Sequence, residues 1–178
     1  MSAVHIGGFW GMLALLGSLT SGCTDGGTAG MTTDGGGSDG SDGAFDGAPV
    51  TAAAGQWTWV DVPQAICRNG TATGFAVRLN PASDKLMIYF QGGGACFNSA
   101  TCGSNPASFG ASDFAVAAAL GGQRGVFNSS DASNPFRDWN IVFVPYCTGD
   151  VHSGSATGVT VPGSGSPTNQ QFVGYRNV

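Results

Sequence analysis

The chain has no glutamate and a single lysine, Lys85. All eleven acidic residues are aspartates, and charged side chains make up only 10 % of the 178 residues. That fraction is low for a cytosolic domain. The basic residues Arg68, Arg78, Lys85, Arg124, Arg137 and Arg176 are scattered. No basic patch and no interleaving of aromatic with basic residues is present, which argues against a nucleic-acid partner. The net charge of -5 comes largely from one low-complexity stretch, so it says little about a partner. Long hydrophobic runs are missing too. The apolar stretch from Phe9 to Leu19 is too short to span a bilayer. Histidine is scarce, with only His5 and His152. Asp150, two residues from His152, is too little company for a metal site.

What stands at the N-terminus reads as an export signal over residues 1–22. Its apolar core leads into small residues, Ser21 and Gly22, directly before Cys23. That pattern resembles a bacterial lipoprotein signal, with Cys23 as the lipidated first residue and a membrane anchor as the consequence. Plain secretory cleavage is the alternative, since the segment ahead of the apolar core has no Lys or Arg and Thr20 stands where Leu is more usual. Of the five cysteines, Cys67, Cys96, Cys102 and Cys147 then remain. In an oxidising compartment four cysteines suggest two disulfides, with three possible pairings.

Residues 23–50 are Gly, Asp, Ser and Thr with almost no large apolar side chains. Such a segment cannot bury enough surface to offset the entropy of ordering it, so it reads as a flexible linker. The folded part is expected over residues 51–178. GQWTWVDV and GFAVRLN read as strands, rich in the aromatic and β-branched residues that pleated surfaces accommodate. KLMIYF and WNIVFVPYC are continuous apolar runs, as expected for strands covered on both faces of a parallel sheet. SDFAVAAALGG between them reads as a helix, capped at Ser112 or Asp113 and ended at Gly121-Gly122. The stretch 148–170 reads as loop, and QFVGYRNV as the opening of another helix. These elements predict an α/β layered fold, left incomplete at Val178, hence the N-terminal part of a longer protein.

The glycine triplet Gly92-Gly93-Gly94 follows the apolar run KLMIYF. Glycine there permits positive φ and close approach of a ligand to the backbone. A dinucleotide-binding turn is excluded, because the third glycine position is Phe97. A phosphate loop is excluded, because no Lys follows. An oxyanion turn, offering bare N–H groups to a tetrahedral intermediate, remains beside a plain tight turn.

The passage YFQGGGACFNSATC, with NPFRDWNIVFVPYCTGDVHSGSA further on, resembles the pectinacetylesterase–Notum family of carboxylester hydrolases. The resemblance spans roughly Trp57 to Tyr175 and is most specific in VPYCTGDVHSG. It implies an α/β-hydrolase-like fold and a secreted serine esterase, needing no cofactor or metal, that removes acyl groups from carbohydrate or from an acylated protein. It implies that the backbone N–H groups of Gly93 and Gly94 are the oxyanion donors. It also implies the pairings Cys96–Cys102 and Cys67–Cys147. By the chain-entropy argument these are worth about 2 and about 4 kcal/mol. The chain departs from the family where a Trp is common at the position of Gly94, a larger residue at that of Ala95, and an acidic residue at that of Gln91. A less crowded pocket wall follows. The family's nucleophile elbow, Gly-x-Ser-x-Gly, is missing from the folded part, and the match around Ser38 lies in the linker. His152 is expected to be a wall or surface residue and Asp150 a brace for the loop. The chain by itself is therefore expected not to hydrolyse esters. A non-catalytic surface lipoprotein that binds carbohydrate on a degenerate hydrolase scaffold is the alternative.

Overall fold

A computed structural model describes residues 49–121 and 124–178. The predicted signal segment, Cys23, Gly122 and nearly all of the predicted linker lie outside the described residues. Four strands form the main sheet: β1 (Trp57–Ile66), β2 (Ala72–Arg78), β3 (Leu86–Phe90) and β4 (Asn140–Val144), in the order β1-β2-β4-β3.

The sheet is mixed, where continuous apolar strands had predicted a parallel one. β1 and β2 run antiparallel, as do β2 and β4, and only β3 and β4 are parallel. Connection length decides this. A short turn through Asn69 and Gly70 can only join antiparallel neighbours. The long excursion from β3 to β4 carries two helices, α1 (Ser99–Ser104) and α2 (Ala111–Gly121), and so permits a parallel return. α2 begins one residue before its predicted start. Asp113 serves it from within the first turn, accepting the Gly110 N–H at 2.9 Å. α1 was not foreseen. Its signal was present, since Asn98 and Thr101 bond reciprocally as a capping box.

One row of side chains crosses all four strands: Trp59, Ala76, Phe143 and Tyr89. α2 covers this face. Phe114 sets its ring 5.7 Å from that of Trp59 and 5.5 Å from that of Phe143. Phe109 and Cys67 complete the core. The opposite face is open along β3, though Val77 of β2 is buried on it. Leu86, Ile88 and Phe90 on β3 are 52, 53 and 48 % exposed, so the expectation of a strand covered on both faces fails for β3. An apolar trough of about 450 Å³ runs along this face, lined by Phe75, Ile88, Phe90, Val142 and Val144 among others. Only one of the two helices in the excursion lies over the core face, so apolar composition alone could not tell one covered face from two.

The stretch read as loop contains a small ribbon of β5 (Ala156–Val159) and β6 (Gln170–Phe172). QFVGYRNV is not a helix from its start. Its first residues belong to β6, and a 3-10 turn follows at Gly174–Asn177. Tertiary bonds override the local tendency here: the Gln171 N–H donates to the Arg68 carbonyl at 2.8 Å, and the Gln170 side chain accepts from the Arg68 guanidinium.

Candidate functional site

The strand β3 ends by donating the Gln91 N–H to the Val144 carbonyl, at 2.9 Å. From there the chain leaves the sheet through Gly92, Gly93 and Gly94, all exposed. It returns to pairing where Cys96 donates to the Gly149 carbonyl at 2.8 Å. No acceptor among the described residues takes the N–H of Gly92, Gly93, Gly94 or Ala95. The turn thus presents unpaired amides at the C-terminal end of a sheet strand.

The segment after β4 holds this turn from behind. His152 Nε2 lies 3.0 Å from the Gln91 carbonyl oxygen, which makes that nitrogen the protonated one. The Tyr146 hydroxyl donates to the Gly94 carbonyl and accepts the Val151 N–H at 2.8 Å. The Gln91 side chain accepts the Tyr146 N–H at 3.0 Å. Both carbonyls that flank the triplet are therefore tied down. In a trans peptide the N–H points opposite to its C=O. The two tied planes carry the N–H groups of Gly92 and Ala95. The Gly93 and Gly94 N–H groups stand on the two planes between them.

Glycine is needed at two of these positions for different reasons. A Cβ on Gly93 would sit 2.4 Å from Cδ1 of Tyr146, whose ring is buried against the turn. Gly94 has open space but a φ of +79°, a region that other residues occupy only with strain.

The clamp is itself strained. Val151 and His152 have φ values of 53° and 58° in a turn closed by the Ser153 N–H on the Asp150 carbonyl, at 3.2 Å. Consecutive positive φ values are usual for Asn-Gly and costly for a β-branched residue. Two of Asp150's bonds hold the turn. Its carboxylate accepts Thr148 Oγ1 at 2.6 Å and the Gly174 N–H at 2.7 Å. Val151 is exposed, so its side chain contributes little packing. Val151→Asn is expected to raise stability by about 1 kcal/mol by relieving this strain. An unchanged or lower urea midpoint would contradict the left-handed turn.

Buried Arg68 organises the other side. It donates to Gln170 Oε1 at 2.8 Å and to the carbonyls of Cys102 and Asn105 at 2.7 and 2.6 Å. The cystine-closed loop is thereby tied to β6. Burial lowers the pKa of Arg68, opposed by the neighbouring Tyr146. Burial raises the pKa of Tyr146, opposed by the hydrogen bond from Val151. The sign of the consequence is definite. Between the unfolded value near 10 and the higher folded one, the folded chain keeps a proton that the unfolded chain has lost. Stability is expected to fall as pH rises through that window. In alkaline urea titrations the slope above pH ~10 should flatten in Tyr146→Phe.

Both disulfides implied by the family resemblance are formed, Cys67–Cys147 across a separation of 80 and Cys96–Cys102 across 6. The second begins two residues after Gly94. Among the described residues no group of three or more His, Cys, Asp or Glu side chains converges as a metal site would. Sequence reading had made His152 a wall or surface residue. Its bond to Gln91, 61 positions away, gives it a second part that no local pattern signals.

The chain aligns with a palmitoleoyl-protein carboxylesterase NOTUM from Schmidtea mediterranea at 33 % identity over 95 residues, covering 49 % of this chain and 18 % of that protein. An inactive palmitoleoyl-protein carboxylesterase notum1b from Danio rerio is 31 % identical over 94 residues, covering 50 % of this chain and 66 % of that one. The human NOTUM is 28 % identical over 103 residues, covering 51 % of this chain and 19 % of its own length. The chain thus spans about a fifth of the longer relatives it matches. A solved structure of the Drosophila Wnt deacylase Notum superposes with a TM-score of 0.41 at 20 % identity, over 70 % of this chain and 36 % of that one. The family model for pectinacetylesterase matches residues 51–178, the whole of the predicted folded part, and the chain belongs to the pectinacetylesterase family.

Proposed function

We propose that residues 51–178 form the oxyanion-binding part of an exported serine carboxylester hydrolase of α/β-hydrolase type. Its substrates are acyl esters of a polysaccharide or glycoconjugate, with acetylated polysaccharide favoured. One observation carries this reading: unpaired amides in the turn at the end of β3, whose two outer peptide planes His152 and Tyr146 hold by their carbonyls. Donors that are fixed before the reaction stabilise a tetrahedral oxyanion without having to reorganise, and one such donor is worth roughly 10²–10³ in rate. Gly93 and Gly94 supply the N–H groups. Nucleophile, base and acid are not assigned to any residue of 51–178.

The purified chain is expected to show no turnover of p-nitrophenyl acetate above background. Turnover abolished by a serine-directed phosphonate would place a nucleophile within it and overturn that assignment. The positive test exchanges the matched stretch of the planarian relative for this one. A folded chimaera should retain deacylation and lose roughly 100-fold or more on Gly93→Ala, whose methyl group would collide with Tyr146 and turn the N–H groups away from the oxyanion. A folded chimaera without activity would refute the oxyanion role.

A second reading is a non-catalytic surface protein that binds carbohydrate on the same scaffold. The inactive zebrafish relative, whose match covers two-thirds of its own length, favours it. Binding of an acetylated glycan with no hydrolysis by any longer form would decide for it. Two disulfides support export. A lipid anchor on Cys23, with the membrane as partner, would appear as a diacylglyceryl adduct in the mass spectrum of the N-terminal peptide.

A further inference from the structure

The end of the sheet opposite the glycine turn holds a buried cation with no counter-ion among the described residues. Arg78 closes β2, pairing with Ile141 near the start of β4, and is only 4 % exposed. Its Cζ stands 5.4 Å from the centre of the Trp57 ring, and Nη1 donates to the Phe127 carbonyl at 2.6 Å. Nη2 is buried and has no partner among the described residues. The one ion pair among those residues joins Arg137 to Asp138, so no described carboxylate neutralises Arg78. Stacking on Trp57 stabilises the charge but leaves that N–H group unsatisfied. A buried, unpaired ion is strongly unfavourable.

A cavity of about 110 Å³ lies against this side chain. Its walls include Arg78, Asn80, Ser129, Arg137 and Trp139, and none of its lining residues is acidic. Two arginines and a serine thus border a space well above the ~10–15 Å³ that a water needs. Guanidinium forks match the oxygens of a phosphate or sulfate, and charge-assisted bonds to such an ion are the strong kind. We propose that this cavity binds a small tetrahedral oxyanion between Arg78 and Arg137, with Ser129 as a further donor. The anion is free inorganic phosphate or sulfate, or the terminal phosphate of a larger molecule. Nothing in this depends on ester chemistry at the glycine turn.

The test titrates the full chain with inorganic phosphate while following the Trp139 indole resonance. Saturable shifts with a Kd on the order of 1 mM are expected, with a matching rise in Tm. Arg137→Gln should weaken binding roughly tenfold with the rest of the spectrum unchanged. Arg78→Met should abolish it, and Ser129→Ala serves as the second probe if Arg78→Met does not fold. Glucose 6-phosphate separates the sources. Binding by it means an opening wide enough for a terminal phosphate, and its failure beside bound inorganic phosphate means a closed ion site. A linear response, one matched by chloride at equal ionic strength, or equal affinity in Arg137→Gln would overturn the proposal.

Discussion

Gly93→Ala is expected to cost about 3 kcal/mol, whereas Gly94→Ala one residue later costs about 1. The first places a methyl group 2.4 Å from a ring carbon of Tyr146. That ring has nowhere to go. Tyr146 is 2 % exposed, and its hydroxyl is held between the Gly94 carbonyl and the Val151 N–H. Moving it would break both bonds and leave buried groups unpaired. The Gly94 variant meets open space and carries only the strain of a positive φ. Urea unfolding of the two variants checks this. Shortening Tyr146 to Leu should shrink the cost of Gly93→Ala by more than ~1 kcal/mol, the mark of residues in direct contact. Equal costs for the two glycines would show that Tyr146 does not press on the turn.

Removing the Cys67–Cys147 bridge as a Cys67→Ala/Cys147→Ala pair is expected to cost about 4 kcal/mol, against about 2 for the Cys96–Cys102 pair. The bridge closes a loop of separation 80, so its loss restores much more freedom to the unfolded chain than loss of the short one, separation 6. It also joins the end of β1 to the end of β4 across β2, next to the Arg68 N–H bond to the Cys147 carbonyl at 2.9 Å. The short bridge should matter more locally. Its loss should speed hydrogen exchange at positions 96 and 102, whose N–H groups donate to the Gly149 and Asn98 carbonyls, while leaving the sheet amides protected. If reduction of either pair lowers the urea midpoint equally, the loop-length argument fails.

The buried cations show where sequence reading stopped. Arg68 and Arg78 look like surface residues in a chain with few charges, and nothing around them suggests burial. Arg68 is drawn inside by carbonyls of Cys102 and Asn105, which only the folded cystine loop brings together. Arg78 is enclosed by Trp57, a strand away, and by the carbonyl of Phe127, far along the chain. His152 was legible as a residue of interest but not as a partner for Gln91, because 61 positions separate them.

By itself the sequence determined what depends on neighbours along the chain. That covers the four main strands, the helix Ala111–Gly121, the bare turn after β3, the four cysteines of residues 51–178 and the family motif. Each rests on local periodicity or on glycine's freedom, which a short window contains. Tertiary structure alone decided the strand order, the bare face of β3, the strained turn at Val151 and His152, and which carbonyls hold the glycine turn. Those depend on contacts between distant segments, whose energies outweigh local preference and leave no trace in any single stretch of residues.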